Sequence, residues 1–234
     1  MNLTNDGAKP APRRSGRLSE GASFLIETLR VRPAARRVLS GVSVLLAIFA
    51  IGLLAYPLYT NFYQDRLQAK LAIEFKKPET RQAYIAGEMA SGDPITKISI
   101  PAAGLKPTVV VEGTGASALR AGAGHYPNTP LPGEEGNVAI AGHRTTYGKP
   151  FANLDRLKPG DEVLLETPVG KYTYKVSRDP FIVTPTDFSV ISQTPGKTLT
   201  LTTCHPKGSA KQRLIIKAEL VSEAPATPNQ PQPA

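Results

Sequence analysis

Apolar and polar positions alternate with a period of two along Lys197-Thr-Leu-Thr-Leu-Thr-Thr-Cys204, and again along Gln212-Arg-Leu-Ile-Ile-Lys-Ala-Glu-Leu220. That period marks strands with one face turned to a core. In the first run Leu199, Leu201 and Thr203 share the inner face, while Thr198, Thr200, Thr202 and Cys204 share the outer one. In the second, Leu214, Ile216, Ala218 and Leu220 are the core set and Arg213, Ile215, Lys217 and Glu219 face out. A short loop joins the runs, so an antiparallel register that keeps the core sets together pairs Leu201 with Ile216 and Leu199 with Ala218. The same register sets Cys204 opposite Arg213, with Cβ atoms about 4.5–5.5 Å apart. A third run, Asn137-Val-Ala-Ile-Ala-Gly-His143, turns Val138 and Ile140 inward and Asn137, Ala139, Ala141 and His143 outward. Further strands are predicted over Thr96–Pro101 and Lys106–Glu112. A hairpin over Glu162–Thr167 and Lys171–Arg178 turns at Val169-Gly170.

A different pattern occupies the first quarter of the chain. No charged residue occurs from Val38 through Gln64, and Val42 to Tyr56 is almost wholly apolar. About 20 such residues cross a bilayer as a helix. Arg30, Arg32, Arg36 and Arg37 precede the stretch, which predicts a cytoplasmic amino terminus, and Tyr56, Tyr59, Phe62 and Tyr63 fit an aromatic belt at the outer interface. A cleaved signal peptide is the competing reading. It has a shorter apolar core, and no clean Ala-x-Ala site follows here. The predicted organisation is a basic, disordered cytoplasmic segment at 1–37, a single membrane helix at 38–60, and a helical then polar connector at 61–93. Pro78 limits the helical part. A β domain follows at 94–221 and a Pro-rich disordered tail at 222–234.

Composition narrows the function classes. The 234 residues include 28 Lys and Arg against 19 Asp and Glu, a formal charge of +9. Eight of those basic residues lie in the first 37 positions, the rest are scattered, and Trp is absent. With no recognised nucleic-acid motif, this distribution argues against nucleic acid as a partner. The single cysteine rules out an internal disulfide, so the β domain depends on its core. We find no phosphate loop, internal repeat or metal-ligand spacing, and no cofactor is implied.

The candidate chemistry lies at the strand ends. Cys204 is displayed outward, whereas a free cysteine is more often a small buried hydrophobe. His143 shares its outward polarity. His205, adjacent to Cys204 on an extended chain, points the other way. His125 falls in Ala-Gly-Ala-Gly-His-Tyr-Pro, a loop by its glycines and proline. Thiolate is the reactive form of cysteine, and an unperturbed side chain is mostly thiol at neutral pH. A neighbouring imidazole can share that proton and return it to a leaving amine. Arg213 stays cationic and suits an oxyanion or a substrate backbone.

Leu199-Thr-Leu-Thr-Thr-Cys-His-Pro-Lys-Gly-Ser-Ala-Lys-Gln-Arg213 resembles the Thr-Leu-x-Thr-Cys…Arg signature of sortases, and within it the class E form, in which Thr-Thr-Cys-His-Pro precedes Ser-Ala-x-x-Arg. Ala141-Gly-His-Arg-Thr-Thr-Tyr-Gly-Lys-Pro-Phe151 is similar to that family's histidine segment. Gly124-His-Tyr-Pro-Asn-Thr-Pro-Leu-Pro-Gly-Glu134 and Ile98-Ser-Ile-Pro101 also follow its pattern. The resemblance covers about residues 94–221. It implies an all-β fold, a closed or nearly closed antiparallel barrel of about eight strands carrying a peptide groove, behind an N-terminal transmembrane helix. It implies a membrane-anchored cysteine transpeptidase with His143, Cys204 and Arg213 as catalytic residues. Its partners would be secreted proteins with a C-terminal sorting signal, cleaved between Thr and Gly, and a peptidoglycan precursor or other amine. Its catalytic domain would be extracellular on a Gram-positive cell. Tyr126 follows the Gly-His pair as in class E enzymes, where a tyrosine there is linked to a Leu-Ala-x-Thr-Gly over a Leu-Pro-x-Thr-Gly motif. Tyr126 is otherwise a packed loop aromatic. Thr203 either contacts substrate or packs. Asp179-Pro-Phe181 resembles the lid tripeptide of pilin-polymerising class C sortases, but it lies inside the β domain rather than upstream and reads as a strand break. The alternatives are a pilin-polymerising sortase and a non-catalytic wall-binding or scaffolding module.

Overall fold

The computed structural model describes residues 33–225, so most of the segments expected to be disordered at 1–37 and 222–234 lies outside the described residues. The chain divides into two compact units between Ala55 and Tyr56. Helix α1 (Pro33–Glu74) supplies the described part of the first unit. Between Val38 and Leu54 its apolar side chains are exposed all round, Leu45, Phe49 and Leu54 among them. A helix apolar on every face has no stable place in water. Among the described residues α1 is the one helix long and apolar enough to cross a membrane.

In the second unit α1 ends at Glu74 and α2 (Pro78–Ala86) begins after a short turn. The polar connector expected at 78–93 therefore contains a helix. Pro78 starts it at a first-turn position, where a missing N–H costs nothing, and Gly87 ends it in a left-handed cap. The strands follow: β1 (Pro94–Ile100), β2 (Leu105–Glu112), β3 (Ala123–His125), β4 (Gly136–Gly142), β5 (Glu162–Glu166), β6 (Gly170–Val176), β7 (Phe181–Val183), β8 (Lys197–His205) and β9 (Gln212–Pro225). A short helix α3 (Ala116–Ala121) precedes β3. The order is β6-β5-β1-β2-β3-β4-β8-β9-β7, and a further β6–β9 pairing closes an eight-stranded barrel with β7 outside the ring. Alternate residues of these strands fill the interior: Ile98, Val110, Val138, Ile140, Leu199, Leu201, Leu214, Ile216 and Ala218 all belong to one buried cluster. The hairpin at Val169-Gly170 and the strand break before Phe181 are where the pattern put them. Strand β9 continues to Pro225, where it pairs with Gly170, so residues 222–225 belong to the barrel.

The barrel is not antiparallel throughout. β2 pairs with β3 in parallel, and so does β4 with β8. The second of these matters most for function. Parallel neighbours end at the same rim, so the residues following β4 and those ending β8 lie together. An antiparallel pairing would have sent them to opposite ends.

The outer face of β2 is covered as well. Leu71 of α1 packs with Val109, Val111, Ala118 and Ala121 in a second buried cluster. Strand β3 pairs with β2 only from Val110 onward, which leaves Val109 without a strand neighbour on that edge. Gln68 fills the gap. Its Oε1 accepts from Val109 N–H (2.8 Å), and its Nε2 donates to Val109 O (3.0 Å) and Ala121 O (2.6 Å). A side-chain amide thus supplies the ladder bonds that a buried backbone requires.

Candidate active site

Strand β8 carries Cys204 one residue before its end. Its register with β9 is the one expected from the alternation: Leu199 opposite Ala218, Leu201 opposite Ile216, and Cys204 opposite Arg213. Cys204 is part-exposed, a free thiol at the barrel surface and not in its interior. The guanidinium of Arg213 folds over the β8–β9 loop, where Nη1 donates to Ala210 O (3.0 Å) and Gln212 O (3.1 Å).

His143 follows β4 directly. The parallel register runs from Gly136 opposite Lys197 to Ala141 opposite Thr202. Continued by two residues, it sets His143 beside Cys204, on strands about 4.8 Å apart. Past the last rung the two chains are held together by side chains. Thr203 Oγ1 donates to Gly142 O at 2.8 Å. Burial lowers the His143 pKa from its ordinary value, which favours the neutral imidazole. The imidazole lies 5.3 Å from the Tyr147 ring, centroid to centroid. Tyr147, Gly148 and Lys149 all have positive φ, a tight left-handed turn that brings the chain back toward the strand. Phe151 N–H then closes the loop on His143 O at 3.1 Å, and its ring lies where a Cβ on Gly142 would have to go, 2.6 Å away.

Tyr126 lies beside this rim. Its hydroxyl is 3.0 Å from Thr202 Oγ1, two residues before the cysteine on the same outer face, and the ring is part-exposed. Thr203 is the inner neighbour of Cys204 on β8. It is buried, and its hydroxyl is committed to Gly142 O.

The two other histidines are structural in their contacts. His125 is buried, with Nδ1 2.7 Å from Glu112 Oε2 and Nε2 3.0 Å from Pro130 O. His205 accepts at Nδ1 from Arg144 Nη1 (2.9 Å). Since a guanidinium only donates, that nitrogen carries the lone pair. Among the described residues no three His, Cys, Asp or Glu side chains converge as metal ligands.

Period two missed one layer. Asn137, Thr200 and Thr202, expected outward, are buried. The connection from β7 to β8 lies over Asn137 and Thr200, and its carbonyls at Val190 and Ser192 accept from Asn137 Nδ2 (3.2 and 3.0 Å). Thr200 Oγ1 donates to Asn137 Oδ1 (2.7 Å) and accepts from Lys217 Nζ (2.8 Å). Burial, with Arg178 nearby, lowers the Lys217 pKa. Polar residues paired on the outer faces of adjacent strands, Asn137 with Thr198 and Thr200 with Lys217, are the signal for such a cover. It is a weak signal, because the same pattern also describes a solvated face.

Comparison with known proteins follows the same lines. The family model described as Sortase domain matches residues 98–221. Sortase SrtE1 of Streptomyces coelicolor is 34% identical over 121 residues, 46% of this chain and 34% of the relative, so the chain spans about a third of that protein's length. Sortase D of Bacillus subtilis is 35% identical over 159 residues, 66% of this chain and 72% of the relative. The structure of sortase E from Streptomyces avermitilis superposes with a TM-score of 0.55 at 40% identity, covering 61% of this chain and 97% of that one.

Proposed function

The chain belongs to the sortase family, and from that premise we propose that it is a membrane-anchored cysteine transpeptidase of the class E type. The observation that carries the reading is the rung pairing Cys204 with Arg213, with His143 leaving the parallel neighbour at the same rim. The Cys204 thiolate attacks the carbonyl carbon of the threonine in a Leu-Ala-x-Thr-Gly or Leu-Pro-x-Thr-Gly motif. The oxyanion that forms is met by Arg213, whose remaining N–H groups have no hydrogen bond among the described residues. His143, holding the thiol proton, delivers it to the glycine nitrogen as the Thr–Gly bond breaks. A thioester between Cys204 and the threonine remains. An incoming amine attacks it, His143 takes the amine's proton, and the thiolate leaves. The product is a new amide, made with acyl energy conserved in the thioester and without ATP.

Tyr126 and Thr202 form one side of the rim at which the motif's second residue would sit, and Thr203 holds Cys204 at the right height. The acceptor amine belongs to a peptidoglycan precursor or a comparable wall component. Helix α1 anchors the enzyme in a single pass, with the basic amino terminus in the cytoplasm and the barrel outside.

The test is cleavage of fluorogenic Leu-Ala-x-Thr-Gly and Leu-Pro-x-Thr-Gly peptides, with and without an added amine. Cleavage abolished by Cys204→Ala, together with an amine-dependent ligated product, is the expected result. Ligation confined to a pilin lysine would point to a pilin polymerase. No turnover of any sorting peptide would point to a wall-binding scaffold.

A further inference from the structure

The β4–β8 ladder stops at Ala141 and Thr202, yet the chemistry needs His143 and Cys204, two residues further on. Something must hold these ends in register against fraying. Thr203 supplies one bond across the gap. The other comes from a side chain that the reaction does not use. Arg144, the residue after the histidine, is buried to 5% exposure, and its Nη1 donates to the main-chain carbonyl of Cys204 at 3.3 Å. The same nitrogen donates to His205 Nδ1 at 2.9 Å. Nη1 has two hydrogens, and these two acceptors, belonging to the nucleophile and the residue after it, account for both. On the other side Nη2 lies 3.0 Å from Asp155 Oδ1, and Lys207 Nζ reaches the same oxygen at 3.9 Å.

We propose that Arg144 is a positioning residue for the acyl transfer, fastening the Cys204–His205 strand end to the turn that carries His143, with Asp155 holding the guanidinium in place. The inference rests on the transpeptidase reading for its consequence, though not for its geometry. Arginine suits the task where lysine does not, because its planar fork bonds to three partners in fixed directions. Three segments meet on it: the turn after β4, the short helical turn Leu154–Arg156, and the end of β8. Burial pushes the Asp155 carboxyl up, but its own backbone N–H and the charges of Arg144 and Lys207 outweigh this and hold it below its ordinary range. The carboxylate therefore stays charged at neutral pH. Arg144 Nε is buried without a hydrogen-bond partner. This buried cation is thus held by its two terminal nitrogens, and its position depends wholly on Asp155 and the β8 end.

Three variants in the full chain test the proposal: Arg144→Met, Arg144→Lys and Asp155→Asn. Two readouts are used, steady-state turnover of the sorting peptide and the pH profile of Cys204 alkylation by iodoacetamide. Loss of the clamp lets His143 and Cys204 drift apart while leaving the peptide rim in place. For Arg144→Met, kcat is expected to fall at least thirtyfold with KM within about threefold, and the alkylation profile to become that of His143→Ala. Arg144→Lys and Asp155→Asn should move both readouts in the same direction by smaller amounts, and they stand in if Arg144→Met does not fold. An unchanged kcat and a wild-type alkylation profile in folded variants, with only a lowered Tm, would overturn the proposal and leave Arg144 a packing residue. The alkylation profile needs no sorting peptide. It therefore still decides the clamp if the wild-type chain turns over none, and that outcome would count against the transpeptidase reading alone.

Discussion

Removing the amide of Asn137 tests the covered outer face of the barrel. Asn137 has no exposed surface. Its side chain is hydrogen-bonded to four partners: Val190 O (3.2 Å), Ser192 O (3.0 Å), Thr200 Oγ1 (2.7 Å) and Thr198 Oγ1 (3.3 Å). Most of these groups keep another partner in Asn137→Ala. Val190 O keeps Lys217 and can take the proton that Thr200 Oγ1 (3.2 Å) no longer gives to Asn137, Thr198 retains Thr194 Oγ1 (2.6 Å), and Ser192 is exposed enough for water. No buried group is stranded, so the penalty is the net worth of the bonds and not the larger cost of orphaned ones. At about 1 kcal/mol for each of the two shorter bonds, with a small void added, the loss is about 2–3 kcal/mol. For a domain of this size each kcal/mol moves the midpoint by about 2–4 °C. Thermal unfolding of the detergent-solubilised chain should therefore show Tm lower by roughly 4–12 °C. The connection between β7 and β8 should loosen as well, raising KM for the sorting peptide. Asn137→Asp keeps an acceptor for the two threonines but loses both donors, and it should reproduce the KM effect. A Tm within about 2 °C of wild type, well under one such unit of stability, and an unchanged KM would refute the idea that Asn137 pins this segment.

Three further outcomes are expected. An NMR titration should place the His143 pKa below 6.5, its ordinary value, because burial disfavours the imidazolium. Between the folded pKa and 6.5 the unfolded chain binds more protons, so this group's contribution weakens stability as pH falls through that window and vanishes above it. A value at or above 6.5 contradicts the geometry. Gly124→Ala places a Cβ 2.1 Å from Gly113 O, a backbone atom that cannot swing aside, and should cost about 3 kcal/mol in chemical denaturation. A wild-type midpoint would mean that β2 and β3 part more easily than their close approach indicates. Tyr126→Phe removes the 3.0 Å contact with Thr202. With about 1 kcal/mol at stake, the ratio of kcat/KM for Leu-Ala over Leu-Pro peptides should shift about fivefold, and an unchanged ratio would remove Tyr126 from motif selection.

The parts of this molecule legible in its sequence are those governed by local period. The β8–β9 register came from alternation alone, since any one-residue slip would have turned Leu199 and Leu201 out of the core, and Cys204 duly faces Arg213. His143 was placed outward by the same reasoning. What period two cannot encode is direction: nothing in Asn137–His143 says that its neighbour β8 runs parallel, because that follows from the chain crossing through β5, β6 and β7 before returning. Nor does the pattern show what lies above an outer face, so Asn137 and Thr200 looked solvated. Helix α2 was hidden for a different reason. Pro78 read as a helix breaker, although the first turn is the position a helix tolerates best. Arg144 carries no signal in the sequence, because a charged residue in a loop ordinarily faces water. Its burial becomes visible only once Asp155 and the β8 end are brought to it by the fold.

The thioester is the species on which the account turns. Mixing the wild-type chain with a Leu-Ala-x-Thr-Gly peptide, quenching in acid and mapping the digest by mass spectrometry reads it directly. The expected result is a peptide containing Cys204 heavier by the acyl fragment ending in threonine, accumulating in Arg213-intact enzyme, cleared by added amine, and absent from Cys204→Ala. An unmodified Cys204 peptide while the substrate is cleaved, or the acyl group on any other residue, would contradict it.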